Sequence, residues 1–155
     1  MRTSRRLALA LLLCLPAAAR ADETPIDRSA VPKAVLDAVA RKFPRARQLR
    51  FAREVDKGVE AFEVELVDGP RRVDVSLAMD GTLLVEEEVI KRSAVPDPVL
   101  RAFGAHATYG SWKLARAERI VKRGNTAQPT FELVVARGRK RVELLFDRDG
   151  RLLEP

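Results

Sequence analysis

The chain has 155 residues, 29 basic and 22 acidic, with one histidine and one cysteine, which is room for one or two small domains. Its formal charge of +7 suggests a polyanion partner only until the charges are placed. Arg2, Arg5, Arg6 and Arg20 fall within residues 1–21, so the remainder carries 25 basic and 22 acidic side chains, or +3, and nucleic acid becomes a poor partner.

Residues 1–21 place those arginines around the apolar run 7–15 and end on Ala19-Arg20-Ala21, an A-x-A cleavage pattern. This predicts a secretory signal peptide, too short to span a bilayer as a helix, and a periplasmic or secreted mature chain. Ala8 and Leu9 after Ser4-Arg5-Arg6 favour ordinary export over the twin-arginine route. Leu13 is too large to precede a lipidated Cys14, so no stable membrane anchor is expected. Beyond residue 21 there is no cysteine. Despite the exported address, a packed core must hold the chain together without disulfides.

Residues 22–28 read as a short flexible lead-in. Ser29-Ala30-Val31-Pro32 then recurs as Ser93-Ala94-Val95-Pro96, and this fixes two tandem units at 29–92 and 93–155. Each opens with a helix. Pro32 suits a first helical position, Val35, Leu36, Val39 and Phe43 recur on one face, and Pro44 stops the run. After Pro96 and Pro98 the stripe returns as Val99, Leu100, Phe103 and Ala107, weakened by Gly104 at a cost of about 1 kcal/mol.

Four strands follow in each unit. The first spans 48–55, with Leu49, Phe51 and Val55 on one side, and is matched by 112–120. The second spans 60–67, where Phe62, Val64 and Leu66 alternate with Glu63 and Glu65; Phe131, Leu133 and Val135 are its counterpart. The last two form a hairpin, 73–88 (VDVSLAMDGTLLVEEE), repeated at 142–154 (VELLFDRDGRLLE). A two-residue turn at Asp149-Gly150 would oppose Arg148 with Arg151. A three-residue loop with a glycine bulge instead opposes Asp147 with Arg151, Phe146 with Leu152, Leu77 with Leu83 and Val75 with Val85. The same register sets Leu145 opposite Leu153. A helix with one apolar stripe and a meander with one apolar face cover each other. The expected fold is therefore α+β: two tandem α-β-β-β-β repeats, each a helix packed on a four-stranded antiparallel meander, lying side by side.

The residues V-P-x-x-V-L with Phe43-Pro44, then Phe62-Glu63-Val64-Glu65-Leu66, then Asp80-Gly81-Thr82-Leu83-Leu84 resemble the PepSY-like, β-lactamase-inhibitor-like proteins. The second unit keeps Val95-Pro96, Phe131-Glu132-Leu133 and Asp149-Gly150-Arg151-Leu152-Leu153 but lacks the aromatic-Pro pair. The resemblance spans nearly the whole mature chain. It implies a small exported protein that binds through the outer sheet face and hairpin loops; no inhibitory residue carries over, because the shared motifs are turn and core positions.

No catalytic constellation is visible, so no enzyme is expected. His106 stands alone and there is no second histidine or mature cysteine, which argues against zinc and His-based triads, and no cofactor is expected. Asp147-Arg148-Asp149-Gly150 lacks the further ligands of a calcium loop and reads as a turn. Glu86, Glu87 and Glu88 are successive on a strand and do not converge. The basic tips around Arg123 and Arg139 lie a strand length apart, and Tyr109 and Trp112 read as core margin.

What remains is an asymmetry between the outer sheet faces. In the first unit that face is expected to carry Glu63, Glu65, Asp74, Ser76 and Glu86; in the second, Glu132, Val134, Glu143 and Leu145, with Ala115 and Ala117 beside them. Net charge differs likewise, −3 over residues 22–91 and +6 over 92–155. The expected partner-binding residues are Val134, Leu145, Leu153, Ala115, Ala117 and Arg123. The leading expectation is an exported non-enzymatic module that binds an extracytoplasmic protein as inhibitor or modulator. The alternatives are an envelope protein that homo-oligomerises through the same face, and a cation sensor using the acidic face.

Overall fold

The computed structural model describes residues 22–56 and 59–154; the signal peptide expected at 1–21 and Cys14 lie outside the described residues. Among these, no helix is long and apolar enough to cross a membrane.

Nine strands form one antiparallel sheet in chain order: β1 (Asp22–Pro25), β2 (Arg47–Asp56), β3 (Val59–Asp68), β4 (Arg71–Ala78), β5 (Leu83–Val89), β6 (Lys113–Lys122), β7 (Thr130–Arg137), β8 (Lys140–Asp147) and β9 (Leu152–Glu154). Two short helices interrupt it, α1 (Lys33–Lys42) between β1 and β2, and α2 (Asp97–Ala105) between β5 and β6. Each helix follows a single 3-10 turn, with Pro32 or Pro96 at its N-cap; the missing proline N–H costs nothing there.

Two expectations are corrected. The chain is not two tandem α-β-β-β-β units but a mostly β protein with a single nine-stranded sheet. The cause lies in β5, which pairs with β6 from Val85↔Lys122 to Val89↔Glu118. A separate four-stranded meander would leave β5 as an exposed edge, and pairing satisfies those backbone groups instead. The lead-in is likewise not loose. Residues 22–25 form β1 along β2, with Glu23 ion-paired to Arg50.

Residues directly opposite in the register share a face, and this puts both helices on one side. Val35, Val39 and Phe43 pack on Val64, Leu66 and Val75; Val99 and Phe103 pack on Leu133, Val135, Leu144 and Phe146. Between the two cores the helix side turns polar at β5. Glu88 accepts from Arg71 Nε (3.0 Å) and Arg119 Nη2 (3.1 Å), while Glu86 pairs with Arg71 (3.2 Å) and Lys42 (3.0 Å). The Arg71 hydrogen bonds hold the Glu88 carboxyl below the usual range, and partial burial opposes them.

The glycine-bulged hairpin loops form as expected at the tips. Gly81 (φ 84°) and Gly150 (φ 90°) sit in the left-handed region. A Cβ on either would meet a helix carbonyl at 2.5 Å, that of Ala34 for Gly81 and of Pro98 for Gly150. These two turns thus pin the sheet beneath the first turn of each helix. Phe146 faces Leu152 and Leu77 faces Leu83. Beyond those pairs the register departs from expectation. Leu84 and Leu153 are extra residues in bulges, so Val75 faces Glu86 and Leu145 faces Glu154. Leu49 and Ala115 are bulged in the same way in β2 and β6. A one-residue bulge turns over every side chain beyond it.

Candidate functional site

The sheet side opposite the helices carries no covering element among the described residues, and the register says which side chains it presents. In β3 and β4 these are Glu63, Glu65, Asp74 and Ser76, as expected. In β5 they are Val85 and Glu87. Glu86, expected here, points to the helix side because of the Leu84 bulge. From β6 come Arg116, Glu118, Ile120 and Lys122; from β7 and β8 come Glu132 and Val134 opposite Leu145 and Glu143.

The expected binding residues separate on this map. Val134 and Leu145 lie on the open face, Val134 only 6% exposed. Ala117 faces the other way, opposite Leu133 in the second core. Ala115 is an exposed bulge residue, and Leu153, 39% exposed, bulges at the sheet edge instead of meeting Leu145. Arg123 is exposed at the β6–β7 tip, its N–H donating to Leu84 O at 2.7 Å. These six residues do not form one patch.

Carboxylates come together in their place. Glu65 lies directly opposite Asp74, Asp74 opposite Glu87, Glu118 opposite Glu132, and Glu23 opposite Glu54. Like charges directly opposite one another destabilise a sheet. On the helix side no acid faces an acid among the described pairs. A hollow of about 150 Å³ opens among Glu54, Glu63, Asp74, Ser76, Val85 and Glu87. Asp74 Oδ1 is buried with no hydrogen-bond donor among the described residues. Arg116 is the cation set among these acids, 3.3 Å from Glu118, which is 3% exposed. Arg72 pairs with Glu65 at 2.6 Å nearer the rim.

Burial, reinforced by Glu23 and Asp74, pushes the Glu63 carboxyl up to about 7. Burial and then Glu65 and Glu118 push Asp74 up to about 6. Glu87 rises to about 7 through burial and then Glu118 and Asp74, and Glu132 rises through burial and then Glu143 and Glu118. The alternating pattern could reveal Glu63, Asp74 and Glu132; Glu87 was hidden by the bulge before it.

The other candidate groups are structural. His106 Nδ1 accepts from the Thr108 and Tyr109 N–H groups at 3.2 Å, closing the turn after α2. Asp147 accepts from Asp149 N and Arg151 N and pairs with Arg151, so its oxygens serve the turn. Tyr109 and Trp112 pack edge to face against the second core. Among the described residues no group of three or more acids, histidines or cysteines is arranged to hold a metal ion.

No family model matches the chain, and no curated protein matches it, so the PepSY-like part of the resemblance has no counterpart there. Solved structures do match. One is a protein from Bacteroides eggerthii DSM 20697 assigned by inference to the periplasm, with TM-score 0.68, 19% identity, and coverage of 80% of this chain and 86% of that one. Another is a DUF2874 family protein from Bacteroides uniformis ATCC 8492 (TM-score 0.66, 15% identity, 79% and 86% covered). A third is a BLIP-like protein from Bacteroides fragilis NCTC 9343 (TM-score 0.60, 25% identity, 79% and 84% covered). The periplasmic address expected from the leader agrees with that inferred for the first of these, and this chain shares its fold with the three, the BLIP-like protein among them.

Proposed function

We propose that this chain is a periplasmic, non-enzymatic protein-binding module that receives its partner on the open face of the sheet and acts as an inhibitor or modulator. The observation that carries this reading is the one-sidedness of the molecule. Both helices cover one side, while the other carries the half-buried Val85 and Leu145 among carboxylates, with no further element packed over them among the described residues. A broad face of mixed apolar and charged side chains is the composition of a protein contact surface.

Photo-crosslinking in living cells tests it. A benzoylphenylalanine at Leu145, on the open face, is expected to give discrete adducts, and one at Ala40, exposed on α1, is expected to give none. Equal labelling from both positions, or none from Leu145, would refute the reading. Leu145→Asn is the matching point variant, because a glutamate there would add another acid opposite Glu132.

A further inference from the structure

β5 holds three successive glutamates, and the sheet treats them differently. Glu86 and Glu88 on the helix side have Lys42, Arg71 and Arg119 supplied by the chain itself. Glu87 on the open face has Asp74 directly opposite and Glu118 near, with Arg116 the cation among them. The same holds along the face, where the acid–acid oppositions fall and where an acceptor oxygen of Asp74 is buried with no donor among the described residues. Oppositions of this kind cost stability. Places where a fold keeps such a local conflict are where function is expected.

We propose that the occupant of the open face is a lysine- and arginine-bearing segment of another protein, its cations lying along Glu63, Asp74 and Glu87 and on to Glu132. This rests on the reading of that face as a protein-binding surface and adds the chemistry of the partner. Charge complementarity carries the choice of occupant. The hollow between Glu63, Asp74 and Glu87 offers a place for one ammonium or guanidinium head, where Asp74 Oδ1 gains the donor it lacks. A single chelated metal ion is the poorer complement, because the described acids are strung along the sheet and not gathered round a point. A second copy offering its own basic β7–β8 tip is an outcome that sedimentation distinguishes.

Binding is coupled to protons. Facing the file are Glu23 from β1, Arg50 and Glu54 from β2, Glu65 and Arg72 from β3 and β4, Arg116 and Lys122 from β6, and Arg141 and Glu143 from β8. Arg50 offsets the charge at Glu63, and Arg72 and Arg116 that at Asp74, yet burial still leaves the middle holding protons near neutrality. A docked cation displaces them.

The experiment uses the mature chain and a fluorescein-labelled alternating Lys-Thr peptide, with the Glu-Thr peptide as control. Fluorescence anisotropy is expected to show binding of the Lys-Thr peptide only. Affinity should tighten as pH rises from about 5.5 to 8, and protons should be released on binding, seen as different calorimetric heats in phosphate and Tris. The combined variant Glu63→Gln, Glu87→Gln, Glu132→Gln is expected to bind about tenfold or more weakly. A variant with the same charge change elsewhere (Asp37→Asn, Glu60→Gln, Asp97→Asn) should bind within about twofold of the parent. Equal loss in both variants, no peptide binding, or a dimer in sedimentation that the face variant dissolves each overturns the proposal. If Leu145 crosslinks persist in the face variant while the peptide fails to bind, this inference falls and the binding face stands. If the parent gives no Leu145 adduct, both fall.

Discussion

Replacing Glu87 by glutamine is expected to stabilise the protein, and to do so only above the pH at which free glutamate ionises. In the folded chain the carboxyl rises from 4.5 to about 7, through burial first and then Glu118 and Asp74. It therefore keeps its proton to a higher pH folded than unfolded. Below about pH 4.5 both states are protonated and no penalty exists; the penalty grows as pH climbs to 7 and is constant above that. One pH unit is worth about 1.4 kcal/mol, which caps the penalty at about 3.5 kcal/mol. Solvent screening on an open face reduces it to roughly 1–2 kcal/mol. For a chain of this size that corresponds to a rise in Tm of about 4–8 °C. Calorimetry of parent and Glu87→Gln at about pH 5 and 8.5 should show nearly equal melting at the lower value and the full difference at the higher one. A neutral or destabilising effect at pH 8.5, or the same difference at both, would refute the account of Glu87 as an acid destabilised by burial and by its acidic neighbours.

Glu88→Gln should behave oppositely, losing about 1–3 kcal/mol at neutral pH in urea denaturation as the Arg71 and Arg119 bonds weaken. Because Glu88 titrates below the ordinary range when folded, its contribution is present above about pH 4.5 and is lost on further acidification, so parental stability should peak near pH 5. Gly150→Ala and Gly81→Ala should each cost about 2 kcal/mol or more, measured the same way, since each combines a positive φ with a helix carbonyl at 2.5 Å from the new methyl. His106→Ala should cost about 1 kcal/mol by removing the acceptor for two turn amides, with no effect on binding of the Lys-Thr peptide.

Much of the fold was legible because its signals are local. Prolines at 32 and 96 mark the helix starts, alternation in 60–67 gives β3, and Asp80-Gly81 and Asp149-Gly150 give the hairpin turns. Three things were not legible. β1 has only four residues, one of them a proline, and depends on its pairing with β2 and the contact of Glu23 with Arg50. The union of β5 with β6 spans α2 and so leaves no short-range mark. The bulges at Leu49, Leu84, Ala115 and Leu153 leave the apolar alternation nearly intact while reversing the sides beyond them. That reversal is why Glu86 and Ala117 fall on the helix side and why Leu145 does not meet Leu153. Of the expected residues, Val134 and Leu145 lie on the open side of the sheet, and so do the acids expected on the outer faces, except Glu86.

The Leu84 bulge decides how β5 serves both sides of the sheet. Were Leu84 paired with Ser76 instead of bulged, Val85 would face Val75 and extend the first core, and Glu86 and Glu88 would turn outward into the acids of the open face. With the bulge, those two glutamates meet Arg71, Arg119 and Lys42 between the helices, and only Glu87 is added to the file with Asp74 and Glu118. The polar seam between the cores and the charge of the open face are therefore set by the same backbone irregularity. An unbulged ladder that paired Leu84 with Ser76 would exchange them, placing Val85 where Glu86 now meets Arg71 and Lys42 and leaving two glutamates of this strand on the open face in place of one. Both changes act against folding. The bulge thus lets one strand supply charge to the open face while keeping most of its acids neutralised inside the fold.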